Sequence, residues 1–178
     1  VLDTIRVLVV DDNRAMLMLV RTLLRGFGIR SVVEATDPAE ALAAMKNAAF
    51  ELIITDLSMK PIDGAEFVRH VRTSKDSANP YVPIIMMTGH SDRSSVALAR
   101  DAGVNSFLVK PISARTLYLH VNKACQDDRG YIKTRTYFGP DRRVKESDTY
   151  SGPRRREADG DDGMLDLDEV ASAGLKGR

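Results

Sequence analysis

Four short apolar runs recur along the chain, and each stops on a polar residue. Residues 5–10 run into Asp11 and Asp12, residues 52–55 into Asp56, residues 84–87 into Thr88, and residues 107–109 into Lys110. Short, largely apolar runs rich in β-branched residues are the pattern of strands buried on both faces of a parallel sheet. Stretches with helical spacing separate them. Residues 13–25 carry Met16, Leu19, Val20, Leu23 and Leu24 on one stripe, with Gly26 as the C-cap. Ser31–Ala35 supplies a further strand. Asp37, followed by Pro38 and Glu40, then opens a helix to about Ala48. A loop through Pro61 and Gly64 leads to a helix over residues 65–73, and residues 74–82 form a polar loop. Ser91 or Asp92 caps a helix that Gly103 stops, and Ser113 caps the last one, to about Lys123. Five strands alternating with five helices predict an α/β fold with a doubly wound, five-stranded parallel sheet.

In such a sheet the carboxyl ends of the strands share one mouth, where ligands gather. Three carboxylates, a hydroxyl and an ammonium in that space suit a divalent cation and a phosphoryl group. Hard carboxylate oxygens select magnesium, and a positioned cation neutralises phosphoryl oxygens.

The set Asp11-Asp12, Asp56, Thr88 and Lys110-Pro111, in this order on successive strand ends, resembles the signature of the receiver domain of two-component response regulators, the CheY-like family, over about residues 3–128. The resemblance implies a CheY/flavodoxin-like fold and a signalling switch rather than an enzyme. It implies Asp56 as phosphoacceptor, with Lys110 and Thr88 holding the phosphoryl oxygens and a histidine kinase as a donor. It also implies Mg2+ held by Asp11, Asp12, Asp56 and the backbone carbonyl of Ser58, a cis bond at Lys110-Pro111, and Phe107 as the switch aromatic. Phenylalanine there lacks the hydroxyl many relatives carry, Pro61 falls one residue later than the usual pattern, and Lys60 adds a positive charge. A receiver that is not phosphorylated stays open as an alternative. Ser58 and His90, two residues beyond Asp56 and Thr88, either tune water access to a phosphoryl group or are ordinary loop residues. His70 and His120 fall in helical patterns and are expected on the surface.

One cysteine, Cys125, excludes an internal disulfide framework and fits a reducing compartment. No apolar stretch approaches the roughly 18 residues of a membrane span, so a cytoplasmic location without membrane association is expected. Charge is segregated along the chain. Residues 1–128 hold 15 basic and 15 acidic side chains, residues 129–156 hold nine Lys or Arg against three acids, and residues 157–169 hold seven acids and no base. A neutral block followed by a basic and an acidic one predicts a receiver domain over 1–128, an arginine-rich extension over 129–156 and an acidic tail over 157–178. The extension and tail are expected to be largely disordered without a ligand.

The extension carries Arg135, Tyr137, Asp141, Arg142, Arg143 and the run Arg154, Arg155 and Arg156. Guanidinium groups pair bidentately with phosphate and with guanine O6 and N7, and they stack on bases. An aspartate accepts from guanine N1 and N2. Such a set suits a guanine nucleotide with several phosphates, and cyclic di-GMP meets that description. The run from Tyr137 through Arg143 also resembles the Cle subfamily of CheY-like proteins, which implies cyclic di-GMP as ligand and a protein target such as the flagellar motor switch. The chain is expected to be a monomer. Two other readings remain: a basic tail that contacts nucleic acid, although no helix-turn-helix follows and the domain is neutral, and a phosphate-shuttle receiver with an idle tail.

Overall fold

The structure is a computed structural model, and it describes residues 2–75, 77–89 and 93–141. After a short 3-10 turn, the elements β1 (Arg6–Val10), α1 (Arg14–Gly26), β2 (Ser31–Ala35), α2 (Pro38–Asn47), β3 (Leu52–Asp56), α3 (Gly64–Thr73), β4 (Ile84–Thr88), α4 (Arg93–Ala102), β5 (Ser106–Val109) and α5 (Ala114–Cys125) alternate strictly. The five strands form one parallel sheet in the order β2-β1-β3-β4-β5. Every residue of β3 and β4 is buried, whereas most of the edge strand β2 is half-buried. That is the distribution expected when helices cover both faces of a parallel sheet.

Local chemistry starts the helices: the caps at Asp37 and Ser113 are the expected ones, and Asn13 and Asp63 add two more. Asn13 accepts from the backbone N–H groups of Ala15 and Met16, Asp37 from Glu40, Asp63 from Glu66, and Ser113 from Thr116. Each cap satisfies an amide that the first helical turn leaves without a partner. The cap expected at Ser91 or Asp92 lies outside the described residues. Helix α1 buries Leu17, Val20 and Leu24, and it turns Leu19 outward at 41% exposure. Its end differs too. Gly26 is still helical, Phe27 is the C-cap, and Gly28 takes the left-handed conformation at φ +91°. Val7, Val9, Ile54, Ile85, Met87 and Leu108 of the sheet pack with α1 and with Leu117 and Val121 of α5.

The parallel register keeps the strand ends level. Val10 lies opposite Thr55, Asp56 opposite Met87, and Thr88 opposite Val109. Asp11, Asp56, Thr88 and Lys110 therefore emerge at one edge of the sheet.

The first compact unit continues past the domain end expected at residue 128 and closes at Pro140, and a second begins at Asp141. Two further strands, β6 (Tyr131–Lys133) and β7 (Phe138–Pro140), pair antiparallel as a hairpin. Residues 129–140 thus depart from the disorder expected of the extension. Phe138 is only 7% exposed, and its ring meets Tyr81 edge-on with centroids 5.3 Å apart. Tyr131 meets Tyr81 in the same way, also at 5.3 Å. Burial of one such aromatic contributes about 1.5–3 kcal/mol, enough to offset ordering one or two residues. The acidic tail and residues 142–156 lie outside the described residues.

Candidate functional site

Asp56 is the last residue of β3 and Thr88 the last of β4, while Asp11 and Lys110 directly follow β1 and β5. Carboxylate oxygens of Asp11, Asp12 and Asp56 lie within 4.8 Å of one another. Asp11 and Asp56 are buried and Asp12 is exposed, so the cluster is open to water on one side. The Lys110 ammonium sits 3.0 Å from Asp11 Oδ2 and 2.7 Å from Asp56 Oδ1. The remaining carboxylate oxygens are oriented by backbone amides. Asn13 N–H donates to Asp11 Oδ1 at 2.8 Å, and Ser58 N–H donates to Asp56 Oδ2 at 2.9 Å.

These contacts set the electrostatics. Burial raises the Asp11 carboxyl above its ordinary value, despite the opposing hydrogen bonds from Asn13 and Lys110. For Lys110 burial alone would lower the ammonium, but the combined hydrogen bonds and charges of Asp56 and Asp11 outweigh it and raise it. Three carboxylates against one ammonium carry a formal charge of about −2 when all are ionised, which matches a divalent cation. The donor set is all oxygen, and Asp12 faces the solvent from which a cation would keep its waters. These residues fit magnesium.

The loop after β3 is shaped around Asp56. A Cβ on Gly64 would lie 2.0 Å from the Asp56 carbonyl oxygen, so only glycine lets α3 start this close to the site. Lys60-Pro61 and Lys110-Pro111 are both cis. The second was expected; the first accompanies the displaced proline. Thr88 is 2% exposed, and its carbonyl accepts from Lys110 N–H at 2.7 Å. Phe107 is buried inside β5, three residues before Lys110.

A model of the response regulator receiver domain matches residues 7–122. The chain belongs to that family. Within it, the chain is similar to the chemotaxis protein CheY-3 of Vibrio cholerae, 33% identical over 118 residues that make up 66% of this chain and 89% of the relative. It is 32% identical to the chemotaxis protein CheY of Pseudomonas aeruginosa, again over 66% of this chain and 94% of the relative. The crystallised chemotaxis response regulator CheY4 of Vibrio cholerae superposes with a TM-score of 0.62 at 32% identity, covering 67% of this chain and 98% of that one. Receiver domains use magnesium with an acidic pocket of this type. The family match ends at residue 122, before the hairpin.

The predicted site residues divide into two groups. The receiver brings Asp11, Asp12, Asp56, Ser58, Thr88 and Lys110 to one mouth, with Phe107 beneath. Of the extension residues, Arg135 is exposed in the hairpin turn, and Tyr137 donates its hydroxyl proton to the Pro140 carbonyl at 2.8 Å. Asp141 is half-buried. Arg142, Arg143, Arg154, Arg155 and Arg156 lie outside the described residues, as does His90. His70 is exposed as expected. His120 is not: it is buried on α5, with Nδ1 3.1 Å from Ser106 Oγ. It lies three residues after Leu117 on the core-facing side of α5, which the single histidine in an otherwise mixed pattern did not signal. Sequence reasoning also missed Arg72, buried on the same stripe of α3 as Val68 and Val71. A cation four residues after Val68 on an apolar stripe was the available clue.

Among the described residues, no helix is long and apolar enough to cross a membrane.

Proposed function

We propose that this receiver is a phosphoryl-controlled signalling adaptor, not an enzyme, in which Asp56 accepts a phosphoryl group from a histidine kinase. The observation that carries this reading is the Lys110 ammonium held 2.7 Å from Asp56 and 3.0 Å from Asp11 at the sheet's mouth. An Asp56 carboxylate oxygen attacks phosphorus, a P–O bond forms, and the donor's P–N bond breaks. The departing imidazole keeps the electron pair and takes a proton. Asp11, Asp12, Asp56 and the Ser58 carbonyl would hold Mg2+, which when bound neutralises charge on the transferring oxygens. Lys110, paired with both carboxylates, would exchange a carboxylate partner for a phosphoryl oxygen. Thr88, buried at the end of β4, hydrogen-bonds another phosphoryl oxygen through its hydroxyl. Its inward movement frees space for the Phe107 ring, a two-state packing change at the β5 surface.

The finer reading is that the arginine-rich extension binds cyclic di-GMP and that the signal passes by protein contact, at the flagellar motor switch. Arg135, Arg142, Arg143, Arg154, Arg155 and Arg156 supply phosphate and guanine contacts, Asp141 the Watson–Crick edge, and Tyr137 a stacking face. The names of the chemotaxis relatives support a place in motility. Calorimetric titration of the whole chain with cyclic di-GMP, cyclic di-AMP, guanosine monophosphate and duplex DNA tests it. Selective binding of cyclic di-GMP, weakened about tenfold or more (about 1.4 kcal/mol) in an Arg142→Ala, Arg143→Ala variant, is the expected result. Preference for DNA would establish the nucleic-acid reading instead, and no binding the idle tail.

A further inference from the structure

Strand β5 is held by polar contacts at both ends. At its carboxyl end, Lys110 reaches Asp11 and Asp56. At its amino end, Asn105 is the hub of a second network, built largely by the hairpin and the segment leading into it. Its Oδ1 accepts from Ile84 N–H at 2.9 Å and from Arg72 Nη2 at 3.1 Å. Its Nδ2 donates to Asp127 Oδ2 at 2.8 Å and to Tyr131 Oη at 3.3 Å, and its carbonyl accepts from Arg129 Nη2 at 2.8 Å. Arg129 also grips Asp127, with Nε at 2.8 Å and Nη2 at 2.7 Å. Tyr131 donates its hydroxyl proton to the Tyr81 carbonyl at 2.8 Å, and its ring centroid lies 5.3 Å from the Arg72 guanidinium carbon.

The seat of the hairpin is close-fitting. Gly103, at φ +95°, leaves no room for a Cβ: one there would lie 2.4 Å from the Phe138 carbonyl oxygen. A Cβ on Gly139 would lie 2.7 Å from Gly103 Cα and 2.5 Å from Tyr137 Oη. The hairpin is thus fitted to the turn between α4 and β5, and the next residues after that turn are Asn105 and β5 itself.

Strand β5 is four residues long and lies at the edge of the sheet, with β4 as its neighbour there. At about 3.3 Å per residue such a strand spans about 13 Å. Polar contacts anchor this short edge strand at both ends, so a restraint at one end can reduce the freedom left at the other. Ordering paid at one site then need not be paid again at the second, which is positive coupling without a new contact between them.

We propose that β5 couples the acid pocket to the extension hairpin, so that a phosphoryl group at Asp56 tightens the seating of residues 131–140, and the seated hairpin in turn strengthens phosphoryl binding. In this arrangement Asn105 is a positioning residue that acts on Lys110 through the strand. The proposal rests on the phosphoacceptor reading of Asp56.

The test is hydrogen exchange on the whole chain with magnesium, with and without beryllofluoride, a tetrahedral mimic of a phosphoryl group. The expected result is slower exchange at Leu57 and Lys110, beside the pocket, together with at least threefold slower exchange at Tyr131, Ile132, Phe138 and Gly139. Slowing beside the pocket with an unchanged hairpin would overturn the coupling and leave the phosphoacceptor reading standing. No response in either region would overturn both. The reciprocal arm uses Gly139→Ala, which displaces the hairpin from Gly103, and Tyr131→Leu, which loosens the same seat with less crowding. Each variant, folded by circular dichroism, is expected to bind beryllofluoride at least threefold more weakly; wild-type affinity in both would overturn the proposal.

Discussion

Lys110 and Arg72 are both long cations drawn into the protein, near opposite ends of the same strands, and they are held by different partners. Lys110 keeps about a fifth of its side chain exposed and faces two carboxylates. Arg72 is 2% exposed and donates to four neutral acceptors: the carbonyls of Gly103 at 3.0 Å, Pro80 at 2.7 Å and Val82 at 2.7 Å, and Asn105 Oδ1 at 3.1 Å. Burial lowers the Arg72 guanidinium from its ordinary value, with Tyr131 partly opposing it, whereas the carboxylates raise Lys110. A cation among anions at an open mouth can exchange partners when a metal ion or phosphoryl group arrives. A cation that donates four hydrogen bonds to neutral carbonyl oxygens inside the protein has no such exchange to make. The first arrangement suits a switch and the second a structural peg.

The largest expected effect comes from removing the peg. Arg72→Ala leaves buried carbonyls without donors and opens a cavity, so a loss of about 3 kcal/mol or more is expected in urea unfolding, with no recovery in magnesium. A loss below about 1 kcal/mol would mean that water replaces the guanidinium and would break the contrast.

Lys110→Ala is expected to cost less, about 1–2 kcal/mol without metal, because its ammonium is partly exposed and water can enter its place beside the carboxylates. Millimolar magnesium should restore most of that stability by supplying the missing positive charge. Equal destabilisation with and without magnesium would argue that the pocket does not take the cation.

Tyr131→Phe sharpens the comparison further. It keeps the ring over Arg72 and removes the hydroxyl bound to Tyr81 and Asn105, for an expected loss of about 1 kcal/mol by thermal or urea unfolding. An unchanged midpoint would assign the seat to packing alone.

How much of this was legible in the sequence differs between the two regions for a physical reason. The pocket was written in short-range terms: strand runs with polar ends, and N-caps at Asp37 and Ser113. Parallel pairing then brings together residues as distant as Asp11 and Lys110 without further information. The hairpin seat depends on contacts across the chain that no local period encodes. The partners of Arg72 are Gly103, Asn105 and Tyr131, some thirty to sixty positions later, as well as Pro80 and Val82, and Gly103 reads as a helix stop although Phe138 also requires it. The two three-residue strands of the hairpin are too short for an alternation signal, and their surrounding charge resembles a solvated tail. His120 was misplaced for the same reason, since its partner Ser106 lies on another element.

The smallest expected effect concerns that histidine. Burial, with Lys123 adding to it, lowers the His120 imidazole below its ordinary value of 6.5. The unfolded chain therefore takes up a proton more readily than the folded one. His120 stability is fully present above about pH 6.5 and declines as pH falls through the lowered value. Unfolding free energies at pH 7.5 and 5.5 should fall more for wild type than for His120→Asn, by under about 1 kcal/mol. Identical pH dependence would show that Ser106 holds the ring equally well in either protonation state.

Phosphorylation of Asp56 in the acid pocket is read most directly by mass spectrometry of the chain after incubation with acetyl phosphate and magnesium. The expected result is one added phosphoryl group, located on the peptide containing Asp56, absent without magnesium and absent in a folded Asp56→Asn variant. Undiminished labelling of that variant, or no labelling of the wild-type chain, would contradict it.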